Sequence, residues 1–282
     1  MNNMNKTSQL HVEPVEPHPQ DNPMNGTQRI AATLATFAVV LLASGPALAA
    51  KPAQPTADQL LDAMDKLLTF ETRTAVSVMK VIDSRRTRVY EMLSYGRGID
   101  ESAVEFRKPA RDKGTKMLKK GDNMWIYMPR AERVQKISGH MLRQGMMGSD
   151  ISYEDMMQSQ KFRELYKAKV LGAEMKHGRR CWKVEAIARD KKVSYPKRLL
   201  WIDVEHLLPL EQELFALSGM KLKTWTMGDI RVVDGRKVAM RMELNDMLRK
   251  GSKTVVVTKR LKFGVKVPSE VFSRRWLQRK SR

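Results

Sequence analysis

Three groups of side chains in this sequence could do chemistry. The first is Asp150, Glu154 and Asp155 in the stretch GSDISYEDMM, where closely spaced carboxylates could share acid and base roles. The same residues have a second reading. Ser152 with Asp155 three positions on is the pattern of a capping box, in which the acid complements a helix N-terminus instead of moving protons. The second group is the lone Cys181, inside an alternating run beside Trp182, where a buried and inert thiol is expected. The third is His140, His177 and His206, none of which has a second ligand type at metal spacing. HExxH, GxSxG and GxxxxGK patterns do not occur in the sequence, so the expectation is a protein that is not an enzyme and needs no metal or cofactor.

The larger anomaly is apolar. Seven of the 20 methionines fall between Met124 and Met157, five of them in MLRQGMMGSDISYEDMM, a stretch that otherwise reads as loop. Methionine is unbranched and polarisable, and it suits surfaces that must accept apolar partners of varying shape. It also serves as ordinary core filler beneath loops.

The N-terminus sets the compartment. Arg29 precedes the apolar run Ile30 to Ala43, then come Ser44-Gly45-Pro46 and the small-x-small pattern Ala47-Leu48-Ala49. Charge, apolar run and cleavage site in that order read as an export signal. The run is too short to cross a bilayer of about 30 Å as a helix. Residues 1–49 are therefore expected to be leader and signal peptide, cleaved after Ala49, with Met24 a candidate start. Residues 50–282 are expected to be one soluble periplasmic domain with a basic C-terminal tail. The whole chain carries a formal charge of +21, and removing 1–49 leaves 50 basic and 28 acidic residues. Nucleic acid would be the usual partner for such a charge, but export turns the expectation to anionic membrane surfaces and acidic proteins, with no nucleic acid.

The elements that must position these residues follow from periodicity. Thr56 stands where an N-cap should, and Leu60, Leu61, Met64, Leu67 and Leu68 recur at helical spacing, so 57–69 reads as an amphipathic helix. From 74 onward the runs are short and alternating: 74–83, 88–97, 101–107, 115–120, 123–128, 166–173, 180–188, 198–204, 210–216, 220–233, 236–246 and 253–263. Asp234-Gly235 signals a tight hairpin between two of them. A short helix is expected after Ser152, and one turn at 268–272. This many strands predict a mainly β protein (α+β), an open and strongly curved antiparallel barrel with an N-terminal helix and a short helical lid. A curved sheet has a concavity, and a methionine-bearing helix over its mouth makes an apolar pocket with a lid.

At this point the sequence resembles a known family. One helix, an antiparallel sheet, WIYMP with Trp125, Tyr127 and Pro129, and GSDISYEDMM with Gly148, Ser149, Asp150, Tyr153 and Asp155 look like the outer-membrane lipoprotein-sorting proteins, relatives of the periplasmic carriers LolA and LolB. The resemblance covers 50–282. It implies an unclosed barrel that binds acyl chains or another lipid-like ligand without chemical change. It also implies an acylated lipoprotein or lipid cargo and an inner-membrane transporter, of the resistance-nodulation-division type in part of the wider family.

The expected lid and cavity residues are Trp125, Tyr127, Met128, Met141, Met146, Met147, Tyr153, Met156 and Met157. Alternation leaves open whether Trp125 and Tyr127 or Met124, Ile126 and Met128 face inward. Trp276 and Leu277 amid Arg274, Arg275, Arg279, Lys280 and Arg282 look like an interfacial anchor for a membrane or partner. Lys116-Lys119-Lys120, Arg179-Arg180, Lys191-Lys192 and Lys259-Arg260-Lys262 are further basic clusters that could meet an anionic surface. An alternative function is a lipid-sensing regulator of envelope stress, of the RseB type, acting through a protein partner.

Overall fold

The computed structural model describes residues 54–158 and 162–280. The leader and export signal expected at 1–49, with its cleavage site, lie outside the described residues. Helix α1 (Ala57–Leu68) begins at Thr56, whose hydroxyl accepts from the Gln59 backbone N–H while the Gln59 side chain accepts from the Thr56 N–H. This reciprocal cap fixes the helix start. At the other end, the Arg236 guanidinium donates to the carbonyls of Lys66 and Leu67.

Thirteen strands follow: β1 (Thr72–Ile82), β2 (Thr87–Arg97), β3 (Glu101–Lys108), β4 (Lys116–Lys120), β5 (Asn123–Met128), β6 (Arg133–Ile137), β7 (Tyr166–Lys176), β8 (Arg179–Ala188), β9 (Lys197–Asp203), β10 (Pro209–Phe215), β11 (Lys221–Val233), β12 (Arg236–Asp246) and β13 (Lys253–Phe263). Each expected run has its strand. β6, RVQKI, has no counterpart among them, because three of its five residues are polar and its alternation is weak. Between β11 and β12, Asp234 and Gly235 both take positive φ (48° and 75°), the backbone of a type I′ hairpin that only glycine and short polar residues adopt at little cost.

All thirteen form one antiparallel sheet in the order β6-β5-β4-β3-β2-β1-β13-β12-β11-β10-β9-β8-β7. Two meanders, β1 to β6 and β7 to β13, thus join edge to edge through the β1–β13 pairing. The consequence is topological. β6 and β7 are consecutive in the chain but lie at opposite edges of the sheet, so the segment 138–165 must pass from one edge to the other. It holds α2 (Tyr153–Gln158) and α3 (Phe162–Leu165), preceded by 3-10 turns at Gly139–Arg143 and Met146–Gly148.

Register assigns the faces. Met79 pairs with Tyr90 and Val256, Met117 with Ile126, Val256 with Met242, Leu200 with Val184, and directly opposed residues share a face. One face, here termed inner, therefore carries two apolar clusters. The first holds Met79, Tyr90, Met92, Phe106, Met117, Met124, Ile126 and Leu244, covered by Met146, Ile151 and Tyr153 of the crossing segment. The second holds Trp182, Val184, Ala186, Leu200 and Ile202, covered by Leu60, Leu61 and Met64 of α1 and by Phe162. The three α1 side chains are fully buried, each contributing about 1.5–3 kcal/mol. Asp65 on α1 also accepts from the Phe162 and Arg163 backbone N–H groups, so α1 caps α3.

The C-terminal part packs on the opposite, outer face. A 3-10 turn at Ser269–Phe272 and α4 (Arg274–Gln278) place Val271, Phe272, Trp276 and Leu277 against Ala103 and Leu118. The turn at 268–272 was expected; α4 follows because the Ser273 hydroxyl accepts from the Trp276 N–H and caps it.

Candidate functional site

The crossing segment touches the inner face through methionines and is held there by charge. Gly145 and Ser152 form an isolated antiparallel bridge, and the Met146 N–H donates to the Ile151 carbonyl at 2.7 Å, closing a tight loop. A Cβ on Gly145 would lie 2.1 Å from the Ser149 carbonyl oxygen, so only glycine fits.

Two clasps fix this loop and α2 to the sheet. At the first, Asp150 is buried; its Oδ1 accepts from Ser252 Oγ (2.5 Å) and Arg249 Nη1 (3.1 Å), and its Oδ2 from Thr254 Oγ1 (2.7 Å). Arg249 also donates to the Ser149 and Gly148 carbonyls, while Arg88 donates to those of Met147 and Gly148. At the second, Ser152 and Asp155 form the reciprocal cap expected from their spacing: the Ser152 N–H donates to Asp155 Oδ2, and the Asp155 N–H to Ser152 Oγ. Asp155 then accepts from Lys223 Nζ (2.7 Å) and from the Tyr195 hydroxyl (2.6 Å). Burial, then the Asp155 charge, pushes the Tyr195 hydroxyl far above its ordinary value, so it stays a donor.

This second clasp continues as a polar belt between the two apolar clusters. Arg198 donates to the Tyr166 hydroxyl at 2.7 Å and to Gln212 at 3.3 Å, and the Tyr166 hydroxyl donates to the Tyr195 carbonyl. The Arg198 guanidinium lies about 5 Å from the ring centres of Phe162, Tyr166 and Tyr195. Beside the belt, the Trp225 indole N–H is buried without a hydrogen-bond partner. Asp150 and Asp155 thus each accept several hydrogen bonds that tie the crossing segment to the sheet. Among the described residues, no three or more His, Cys, Asp or Glu side chains cluster closely enough to hold a metal.

Of the expected cavity residues, Met146 and Tyr153 are buried in the first cluster, and Met128, Met141, Met147, Met156 and Met157 pack against it partly buried. Trp125 and Tyr127 require correction. Strand β5 turns Met124 and Ile126 inward, so both aromatics face outward and pack with the C-terminal segment.

The tail is corrected too. Trp276 is only 9% exposed, stacked edge-on to Tyr95 at 6.3 Å, and the Lys116 Nζ donates to the carbonyls of Trp276 and Arg279. Arg274 lies over the Trp125 ring, and Arg279 pairs with Glu270; Arg275 and Lys280 are exposed. Trp276 and Leu277 therefore pack the C-terminal segment onto the sheet, while the basic residues around them stay at the surface. Lys116 is buried against this segment and Lys119 is buried with its ammonium on the Ile99 carbonyl, so neither forms a basic surface. The inner face has a larger share of the site than its sequence suggested. Met79, Met92 and Met117 lie at alternating positions that could have flagged them, whereas Arg88, Arg249, Thr254, Lys223 and Tyr195 come together only through register. An open groove of about 460 Å³ lies at the β7–β8 edge, lined by Lys167, Ala168, Glu185 and Arg189 among others.

A widely curved antiparallel sheet with a crossing segment on its inner face is a fold this chain shares with several solved structures, one of them a LolA superfamily protein. The solved structure of a DUF1329 family protein from Desulfovibrio piger ATCC 29098 is 25% identical, with a TM-score of 0.73 over 78% of this chain and 97% of that one. A putative outer membrane lipoprotein-sorting protein domain from Vibrio parahaemolyticus is 24% identical, with a TM-score of 0.69 over 78% of this chain and 98% of that one. The LolA superfamily protein NE2245 from Nitrosomonas europaea is 21% identical, with a TM-score of 0.65 over 79% of this chain and the whole of that one. No curated protein matches the sequence significantly. Residues 98–279, more than half of the chain, match a family described as "uncharacterized protein"-like, and the chain belongs to that family. The resemblance to lipoprotein-sorting proteins drawn from WIYMP and GSDISYEDMM thus holds at the level of the fold.

Proposed function

We propose that this protein is a non-catalytic periplasmic carrier that takes up the acyl chains of a lipid or lipoprotein between the inner face of its sheet and the crossing segment, and hands them to another envelope component. One observation carries the reading: the segment 138–165 meets the sheet through methionine, tyrosine and isoleucine but is fastened by polar clasps at Asp150 and Asp155. A methionine interface re-forms around different shapes at small cost, while polar clasps can be exchanged for other donors and acceptors. An acyl chain sliding beneath the segment gains about 0.8 kcal/mol per buried methylene, enough for tight binding without any catalytic group. Lys223 and the unpartnered Trp225 indole sit beside that space as donors for a carbonyl or phosphate head. The lipoprotein-sorting relatives support a cargo of this class. The family resemblance supports an inner-membrane transporter, of the resistance-nodulation-division type, as the donor or acceptor.

The direct test is native mass spectrometry of protein gently purified from the periplasm, followed by extraction and identification of bound amphiphiles, with a fluorescent fatty acid titrated into the delipidated protein. Copurifying lipid and saturable uptake are expected. A protein that carries no lipid and takes up no fatty acid, yet holds one stoichiometric protein partner, would replace this reading with that of a regulator.

A further inference from the structure

The large apolar side chains exposed on this protein include four at the tips of two neighbouring hairpins. In the β10–β11 turn, Leu217 is 90% and Met220 51% exposed; in the β12–β13 turn, Met247 is 41% and Leu248 64% exposed. The turns are adjacent, because the Met247 N–H donates to the Leu222 carbonyl at 2.8 Å. Antiparallel register brings the β1–β2 turn to the same end, since Ile82 pairs with Lys253.

The charges around these tips are lopsided. Asp83 and Asp246 both use a carboxylate oxygen to accept turn N–H groups, Glu213 pairs with Lys221, and Glu243 with Lys253. Arg85, Arg86 and Lys250 are exposed; Arg86 lies near the Asp83 charge, whereas Arg85 and Lys250 join no ion pair among the described residues. Exposed apolar tips beside exposed cations on the neighbouring turns suit a surface that is apolar a few ångströms below an anionic layer. That is the chemistry of a bilayer rich in acidic phospholipid.

We infer that this end of the sheet, with Leu217, Met220, Met247 and Leu248 as the inserting residues and Arg85, Arg86 and Lys250 as their cationic collar, is the membrane-docking surface of the protein. The inference deepens the carrier reading by naming where the carrier meets a membrane, and its test needs no cargo. The same β12–β13 turn carries Arg249 and Ser252, which clasp Asp150 of the crossing segment, so docking takes place at the turn that holds the segment shut.

The experiment is flotation with vesicles of phosphatidylethanolamine and phosphatidylglycerol at 3:1, against pure phosphatidylcholine, for the protein without its leader. The wild type should float with the anionic vesicles and lose association as salt rises. Leu217→Asp with Leu248→Asp should weaken partitioning about tenfold or more, and R85E/K250E should weaken it and flatten the salt dependence. Both pairs are exposed, so the thermal transition should stay in place. Arg274→Glu with Arg275→Glu on the tail should float like the wild type. Wild-type flotation by the L217D/L248D protein, loss of flotation only in the tail variant, or no flotation of the wild type would each overturn the inference. If fatty-acid uptake fails while tip-dependent flotation persists, the docking surface stands and the carrier reading falls.

Discussion

Lys223 Nζ lies 2.7 Å from Asp155 Oδ2 with both side chains almost out of water, 11% and 2% exposed. The pair joins α2 of the crossing segment to strand β11 across the inner face. Breaking one side of a buried pair leaves the other charge desolvated and unmatched, which costs about 3–5 kcal/mol. Asp155→Asn should destabilise the protein by that order in chemical denaturation and speed hydrogen exchange at 152–157. Adding Lys223→Met should recover most of the loss. Wild-type stability in the single variant would mean the pair is solvated. A lipid esterase activity present in the wild type and absent from D155N would instead make Asp155 catalytic.

The crossing segment should also respond to a change of one methyl group. Gly145→Ala drives a Cβ into the Ser149 carbonyl and must open the loop that Gly145 and Ser152 close. Exchange and proteolysis should rise at 144–152 while β7 to β10 stay protected. Uniform loss of protection over the whole sheet would show that the segment is not a separately opening unit.

Cargo binding should depend on the methionines according to their burial. Met156→Asp with Met157→Asp changes two partly buried side chains of the cover and should abolish fatty-acid uptake with a small change in stability. Met146→Asp places a carboxylate at a site 4% exposed and should lower both binding and stability. Full uptake by M156D/M157D would remove these residues from the binding surface.

The outer face gives a contrasting expectation. Trp276 fills the space over Ala103 and Leu118, so Trp276→Ala should cost about 3–5 kcal/mol. Vesicle association per folded molecule should be unchanged. A stable variant that lost membrane binding would restore the tail as an anchor.

Cys181 supplies a pH-dependent check. Burial, reinforced by the Asp203 charge, pushes its thiol up to about 11 from an ordinary 9.0. Folding therefore favours the protonated form. The contribution is fully present below pH 9 and is lost as pH rises toward 11. Ellman's reagent at pH 8 should leave the native thiol unreacted and titrate one thiol after denaturation. Rapid native labelling would show that the outer sheet around Trp201 and Leu210 opens.

Most of this fold was legible because its strands alternate cleanly. KVAMRMELND announces which of its residues share a face, and Asp234-Gly235 announces its turn. The Thr56 and Ser152 caps were legible too, since capping is a local exchange of hydrogen bonds. The inward face of β5 was not, because MWIYM is apolar on both sides: one side packs under the crossing segment and the other under the C-terminus. The tail misled for a related reason. Basic residues around a tryptophan look the same whether the ring meets a bilayer or a sheet, and it is the long-range pairing of Lys116 with the Trp276 and Arg279 carbonyls that puts this ring against the sheet. The clasps at Asp150 and Asp155 join positions 40 to 104 residues apart, a separation across which no local pattern survives.

The order of strands has one more consequence. Because β6 and β7 are consecutive in the chain yet occupy opposite edges of the sheet, the segment between Ile137 and Tyr166 is a bridle tied at both ends. It can be lifted but never cast off. Its slack, at most about 3.3–3.6 Å for each residue paid out, limits how thick a cargo can pass beneath it. On the carrier reading, lengthening or shortening that span by a few residues should change the calibre of the cargo accepted while leaving every strand in its place.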